Sequence, residues 1–168
     1  MQHKGIDAQD GVLRFAGDSG DGMQLVGTLF ANTSALLGNS LSTFPDFPAE
    51  IRAPQGTVSG VSGFQVHIAS SKITTPGDLC DLLVAMNPAA LKTNAKFLKP
   101  TATVIVDEDM FTDQLLDKAG FKADENPFEA LKIEDRVIVS AKITSLTLDS
   151  VAPFGMDRKA ALKCKTLF

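Results

Sequence analysis

The sequence has 168 residues, enough for one domain of ordinary size and not comfortably two. Hydrophobic residues make up 44% and charged residues 21%, near the globular average, which excludes a wholly disordered chain. The 20 acidic and 16 basic residues leave a formal charge of -4, which argues against a nucleic-acid backbone as partner.

In chain order, Val12 to Ala16 (VLRFA) reads as a short strand, closed by a glycine-rich turn, Gly17 to Gly22 (GDSGDG). Met23, Val26, Phe30, Thr33 and Leu37 then repeat with helical spacing, and Gly38 stands at the stop position. Leu25, Leu29 and Leu36 occupy the other side, so this helix is expected to pack on more than one face. Leu41 to Phe44 is a second strand. Pro45 to Val61 holds three prolines and two glycines and reads as a long ordered loop, a kind of segment that often carries function. In Gly63 to Ser70, Phe64, Val66 and Ile68 alternate with Gln65 and His67, which predicts a strand with one wet face, antiparallel or at an edge. Leu82 to Met86 is a continuous apolar run, suited to a central parallel strand. Asn87-Pro88 then caps a helix running to about Leu98. Thr103 to Asp107 is another buried strand, followed by helices around Met110 to Ala119 and Pro127 to Leu131. Arg136 to Ala141 is a further strand, and Phe154 to Phe168 has helical spacing. The pattern predicts an α/β fold in three layers. It has a mostly parallel sheet with helices on both faces, Rossmann-like, with an antiparallel strand at its edge.

The strand, glycine turn and helix form an anion site in principle, because a helix N-terminus presents unpaired N–H groups. Gly17, Ser19 and Gly22 occupy the positions of a dinucleotide-binding turn, with Gly20 between them, but the second glycine is replaced by Ser19. The second strand ends in Thr43-Phe44 without the acidic residue that would hold a ribose. Asp18 and Asp21 flank the turn and would repel a bare phosphate unless they point away. The other reading is a tight turn with Asp21 as helix cap.

Glu50 and Arg52 project to one side of an extended chain, bracketed by Pro48 and Pro54. They form either a surface ion pair or a contact with a partner. Asp107, Glu108 and Asp109 are expected to cap the helix that follows them and face water. His67 is expected on a wet strand face, and Lys159, Lys163 and Lys165 on a solvated helix face. With only His3 and His67 present, no Ser/His/Asp or Cys/His catalytic set is assembled, and no catalytic or metal-ligating residue is assigned.

Cys80 and Cys164 lie far apart and read as free thiols of a cytoplasmic protein; an iron–sulfur cluster usually takes four. The polar first ten residues lead to the expectation of no signal peptide, and the apolar runs are too short for a membrane span. The uncapped apolar end at Leu167-Phe168 leads to the expectation of a chain truncated from a longer polypeptide.

Four stretches taken together, VLRFAGDSGDGMQ (Val12 to Gln24), FPAEIRAPQG (Phe47 to Gly56), GVSGFQVHI (Gly60 to Ile68) and LLVAMNPAAL (Leu82 to Leu91), resemble the gamma domain of 2-oxoacid:ferredoxin oxidoreductases. The likeness is greatest to the N-terminal part of the 2-oxoglutarate:ferredoxin oxidoreductase alpha subunit, and it covers nearly the whole chain from Val12. The resemblance implies residues 1–11 as a tail and 12–168 as an accessory domain, inactive alone. In the family a 2-oxoacid and coenzyme A give acyl-CoA and CO₂ with reduction of ferredoxin. The resemblance places thiamine pyrophosphate, Mg²⁺ and 4Fe-4S clusters in other domains or subunits, with none held firmly by this chain. The implied partners are the thiamine-binding domain of the same polypeptide and the beta subunit, with ferredoxin as acceptor.

By the same resemblance Gly17, Ser19, Gly20 and Gly22 match the family's glycine turn, Glu50 and Arg52 its Glu-x-Arg motif, and Asn87-Pro88 its turn after the central strand. The turn and Arg52 are thereby candidates for coenzyme A or interface contacts, and Glu50, Asn87 and Pro88 for interface contacts. Many relatives carry two glycines after the arginine, whereas Ala53-Pro54 follow here. The competing expectation is a free-standing module that binds a phosphate, a nucleotide or coenzyme A.

Overall fold

The computed structural model describes residues 9–47 and 60–167, so Pro48, Glu50, Arg52 and Pro54 lie outside the described residues. In order, the elements are β1 (Asp10–Asp18), α1 (Met23–Leu36), β2 (Ser40–Asp46), β3 (Val61–Ala69), β4 (Cys80–Ala85) and α2 (Pro88–Asn94). They continue with β5 (Leu98–Asp107), α3 (Asp113–Lys118), α4 (Pro127–Ala130), β6 (Val137–Ala141), α5 (Ile143–Val151) and α6 (Arg158–Leu162), ending in a 3-10 turn, Lys163–Leu167.

The strands form one sheet in the order β2-β3-β1-β4-β5-β6. β1, β4, β5 and β6 pair in parallel, while β3 runs antiparallel to both β1 and β2. The expected mostly parallel α/β sheet is present, but its antiparallel strand sits one position in from the edge, and β2 forms the edge itself. The apolar run beginning at Leu82 is central, as its hydrophobicity on both faces requires.

Register places Phe44, Gln65, Arg14, Leu83, Val104 and Ile138 in one row across one face. The apolar members of this face meet Ala90 and Leu91 of α2 and Ile133 beyond α4. Pro45, Phe64, Phe15, Val84, Ile105 and Val139 form a row across the opposite face. There α1 packs Phe30 and Ala31 on Phe15, Phe64 and Val66. Contact is close because Gly27 has no side chain: a Cβ at that position would lie 2.1 Å from the Phe64 ring. Full burial of a side chain such as Leu83 or Leu91 stabilises the fold by about 1.5–3 kcal/mol each.

Two local expectations are revised, and one helix was not expected. The helix after Asn87 stops at Asn94, and a 3-10 turn at Ala95–Phe97 leads into a longer β5. The stretch from Phe154 to Phe168 is broken at Gly155 (φ 63°) into a 3-10 turn, α6 and a second 3-10 turn. The helix α5 had no expectation, since ITSLTLDSV is rich in β-branched residues that favour strands.

Candidate functional site

β1, β4 and β5 are parallel, so the segments that follow them share one rim of the sheet. From β1 the chain crosses through α1 on one face. From β4 it crosses through α2 on the other. The crevice between the ends of β1 and β4 is therefore a topological switch point, the usual ligand position of an open α/β sheet.

The two loops at that crevice are tied together. The Met86 N–H donates to the Ala16 carbonyl at 2.9 Å, and the Asn87 amide donates to Asp18 at 2.9 Å. The Asn87 side-chain oxygen accepts from the Ala90 N–H at 2.8 Å, capping α2, and Pro88 takes the first helical position. Asn87 and Pro88 thus stand where the sequence placed them, and Asn87 also fixes the glycine turn. Ser19 and Gly20 form the exposed tip of that turn, while Gly17 is buried in it.

Asp21 does not cap α1; Gly22, in the left-handed region, occupies that position. The Asp21 carboxylate instead accepts from the Asp18 N–H at 3.0 Å, folding back into the turn. A Cβ at Gly17 would lie 3.0 Å from the Asp21 carboxylate oxygen. That oxygen fills the concave side of the turn, where a phosphate would have to approach. Burial raises the Asp21 pKa above its ordinary value, against the opposing effects of the Asp18 N–H and the Lys165 ammonium. The turn is thus lined by acid, which opposes a bare anion.

The acidic cluster after β5 does cap a helix, but not the next one. Fully buried Asp107 accepts from the Thr144 N–H at 3.2 Å and from its hydroxyl at 2.6 Å. Asp109 accepts from the Ser145 N–H at 2.7 Å and its hydroxyl at 2.9 Å. Both carboxylates thereby anchor the start of α5, and Asp107 does not face water. Lys165 does not lie on a solvated face either: it is buried, with its Nζ 3.8 Å from Asp107.

His67 lies at the N-terminal end of β1, far from the rim. Its Nδ1 donates to the Thr75 carbonyl at 2.7 Å and its Nε2 to Asp10 at 3.0 Å. Burial lowers its pKa, but these acceptors outweigh it and the net shift is upward. Gln65, expected on a wet face, is buried, its amide donating to the Pro76 and Gly77 carbonyls at 2.9 and 2.6 Å.

Sequence reasoning missed the hub of this region, Arg14, although a charge inside the apolar strand VLRFA was the available signal. Its buried guanidinium donates to Asn94 at 2.6 Å and to Gln65 at 3.2 Å, pairs with Asp46, and lies 4.4 Å from the centre of the Phe97 ring. A cleft of about 480 Å³ opens beside Arg14, Phe44, Asp46 and Phe97.

Among the described residues no three His, Cys, Asp or Glu side chains gather as a metal site. The sequence's two cysteines are Cys80, buried with its thiol pKa pushed up to about 11 by burial, and Cys164. Among the described residues no helix is long and apolar enough to cross a membrane.

Residues 12–158 match the family described as pyruvate ferredoxin/flavodoxin oxidoreductase. The chain is 50% identical over 157 residues to the 2-oxoglutarate oxidoreductase subunit KorA of Mycobacterium tuberculosis, a match covering 94% of this chain and 24% of that protein. It is also similar to the structure of the 2-oxoglutarate:ferredoxin oxidoreductase from Magnetococcus marinus with 2-oxoglutarate, coenzyme A and succinyl-CoA bound. That match has a TM-score of 0.66 and 25% identity and covers 96% of this chain and 23% of the other. The fold recurs in the gamma subunit of a keto/oxoacid ferredoxin oxidoreductase from Geobacter sulfurreducens, with a TM-score of 0.59, 18% identity and coverage of 90% and 70%. The chain thus spans about a quarter of the length of the first two relatives.

Proposed function

This chain belongs to the pyruvate ferredoxin/flavodoxin oxidoreductase family, and from that membership we propose that it is the accessory, gamma-type domain of a 2-oxoglutarate:ferredoxin oxidoreductase. The observation that carries the substrate is the 50% identity to the 2-oxoglutarate oxidoreductase subunit KorA. In the proposed reaction 2-oxoglutarate and coenzyme A give succinyl-CoA and CO₂, while the electron pair passes to ferredoxin and a proton is released. Thiamine pyrophosphate with its Mg²⁺ and the 4Fe-4S clusters supply the decarboxylation and electron-carrying chemistry in other parts of the assembly. The domain itself is residues 12–168, in a cytoplasmic enzyme.

The role proposed for this chain is to hold a fixed rim against the catalytic parts. The Asn87–Asp18 bond locks the glycine turn to the start of α2, so both loops present one rigid surface. Ser19, Gly20 and Gly22 are proposed as contacts with the thiamine-binding domain and the beta subunit, while Gly17, Asn87 and Pro88, buried within the domain, shape that surface from beneath. The Asp21 carboxylate inside the turn supports that reading over a phosphate cradle. Glu50 and Arg52 are proposed at the same interface, with Arg52 the candidate cation for coenzyme A.

The test is the complete subunit assembled with its beta partner. CoA-dependent oxidation of 2-oxoglutarate coupled to ferredoxin or viologen reduction is expected, with the 168-residue chain alone inert. An assembled enzyme that oxidises no 2-oxoacid overturns the proposal. Arg52→Ala is expected to raise KM for coenzyme A at nearly unchanged KM for the oxoacid.

A further inference from the structure

Among the described residues Lys165 is the only buried lysine, its side chain 7% exposed. A lysine is almost never taken out of water without a charge to pair with. Lys165 stands in the 3-10 turn Lys163–Leu167, which touches α1, α5 and α6. From there its ammonium serves two points of the rim. One is Asp107 at the end of β5, fully buried and 3.8 Å from Nζ. The other is Asp21, in the glycine turn after β1, whose carboxylate the ammonium favours. β1 and β5 flank β4, so the lysine links the two rim segments on either side of β4.

The two carboxylates depend on it unequally. Asp107 accepts from the Thr144 N–H and hydroxyl, bonds that set its place without the lysine. The bond that Asp21 accepts, from the Asp18 N–H at 3.0 Å, stays within its own turn. Burial and the like charges of Asp18 and Asp107 all favour the neutral acid at Asp21. The Asp18 N–H and the Lys165 ammonium are the groups that favour its carboxylate. A neutral acid accepts a hydrogen bond less strongly than a carboxylate does. Loss of the ammonium therefore loosens the bond that closes the turn.

We propose that Lys165 is a positioning residue for the glycine turn: its ammonium keeps the Asp21 carboxylate folded into the turn and so fixes the surface that Ser19 and Gly20 present. This rests on the reading of that rim as the surface that meets the catalytic parts. Asn87 fastens the turn to α2 through Asp18, and Lys165 fastens it to the end of β5 through Asp107. The turn is thus held at two points, one of them supplied by a residue more than 140 positions away in the sequence.

The test is hydrogen exchange in the complete subunit assembled with its beta partner. In Lys165→Met the amides of residues 18–22 are expected to lose at least about tenfold in protection, and those of Thr144 and Ser145 less. Lys165→Arg should keep the native protection, because it keeps the charge. In Lys165→Met/Asp21→Asn the asparagine still offers an oxygen to the Asp18 N–H and needs no counter-ion, so protection should return. Loss confined to Thr144 and Ser145, or unchanged exchange in an assembled Lys165→Met enzyme, overturns the proposal: the lysine then serves Asp107 alone. Should Lys165→Met fail to assemble, the double variant decides. Assembly with native exchange in the turn upholds the proposal, and fast exchange there overturns it. A loosened turn in an enzyme that oxidises no 2-oxoacid even with Lys165 in place upholds the positioning and overturns the proposed function. An unchanged turn in an enzyme that oxidises 2-oxoglutarate does the reverse.

Discussion

In the row Phe44, Gln65, Arg14, Leu83, Val104, Ile138, the residue type changes at the boundary between antiparallel and parallel pairing. On the parallel side, Leu83 and Val104 are fully buried beneath α2 and need no partner beyond apolar neighbours. On the antiparallel side, the same layer is held by a guanidinium whose bonds reach Asn94, Gln65 and Asp46 from three different elements. An apolar layer tolerates small displacements of its members, whereas a buried charge requires each acceptor to be in place. The polar half is thus the more sharply specified in geometry, and it is also the half that carries the glycine turn on β1.

The largest effect should come from setting the two halves against each other. Arg14→Ala strands the Asn94 and Gln65 oxygens and should lower stability by about 3 kcal/mol, after discounting for the partial exposure of Asp46. Leu83→Ala should cost about the same by leaving a cavity. Urea denaturation of both variants checks this; a loss under about 1 kcal/mol for Arg14→Ala alone would break the comparison. Gly27→Ala comes next, at about 2 kcal/mol, because the new methyl group meets the Phe64 ring and α1 must lift from the sheet. A melting temperature unchanged by this substitution would show that α1 has room to move.

Asn87→Ala removes the cap of α2 and the tie to Asp18 at the seam between the halves, and should cost about 1 kcal/mol. Faster hydrogen exchange in both the glycine turn and the first turn of α2 is the expected signature. Exchange changing in α2 alone would mean that the tie does not couple the loops.

The smallest effect is the pH dependence of the antiparallel half. Both His67 nitrogens face acceptors, so the imidazolium is the form that satisfies them, and the folded pKa lies above the ordinary 6.5. Its stabilisation is complete below the unfolded value and is lost as pH rises through the folded one. The urea midpoint should therefore fall as pH rises from below 6.5 through the folded value, and His67→Gln should remove that part of the slope. A slope unchanged by His67→Gln would exclude the histidine as its source.

Much of the parallel half was legible because its signals are local. Leu82 to Met86 and Thr103 to Asp107 are continuous apolar runs, and the Asn87-Pro88 cap lies within a few residues of the helix it starts. The candidate rim was legible for the same reason: each of its loops follows a strand that the sequence marks. The antiparallel half was read less well. Gln65 and His67 alternate with apolar residues and so suggest water, yet their partners are the connection at Thr75 to Gly77 and the guanidinium of Arg14. Nothing local distinguishes a wet polar face from one satisfied by the protein's own groups.

Sequence by itself determined the alternation of strands and helices, the strand–turn–helix at Gly17 to Gly22, the cap at Asn87 and the resemblance to a family. Tertiary structure alone decided which carboxylates are buried and what they hold. Asp107 reaches Thr144 across 37 positions and so starts α5 from a segment of poor helical propensity. Arg14 reaches Asn94 across 80. Lys165 returns from the end of the described chain to the rim, and Asp21 turns into the site that its glycines had suggested for a phosphate. Periodicity and capping act within a turn or two of chain, so a sequence displays them directly. A buried charge takes its partner from wherever the fold brings one, and that choice exists only once the chain has folded.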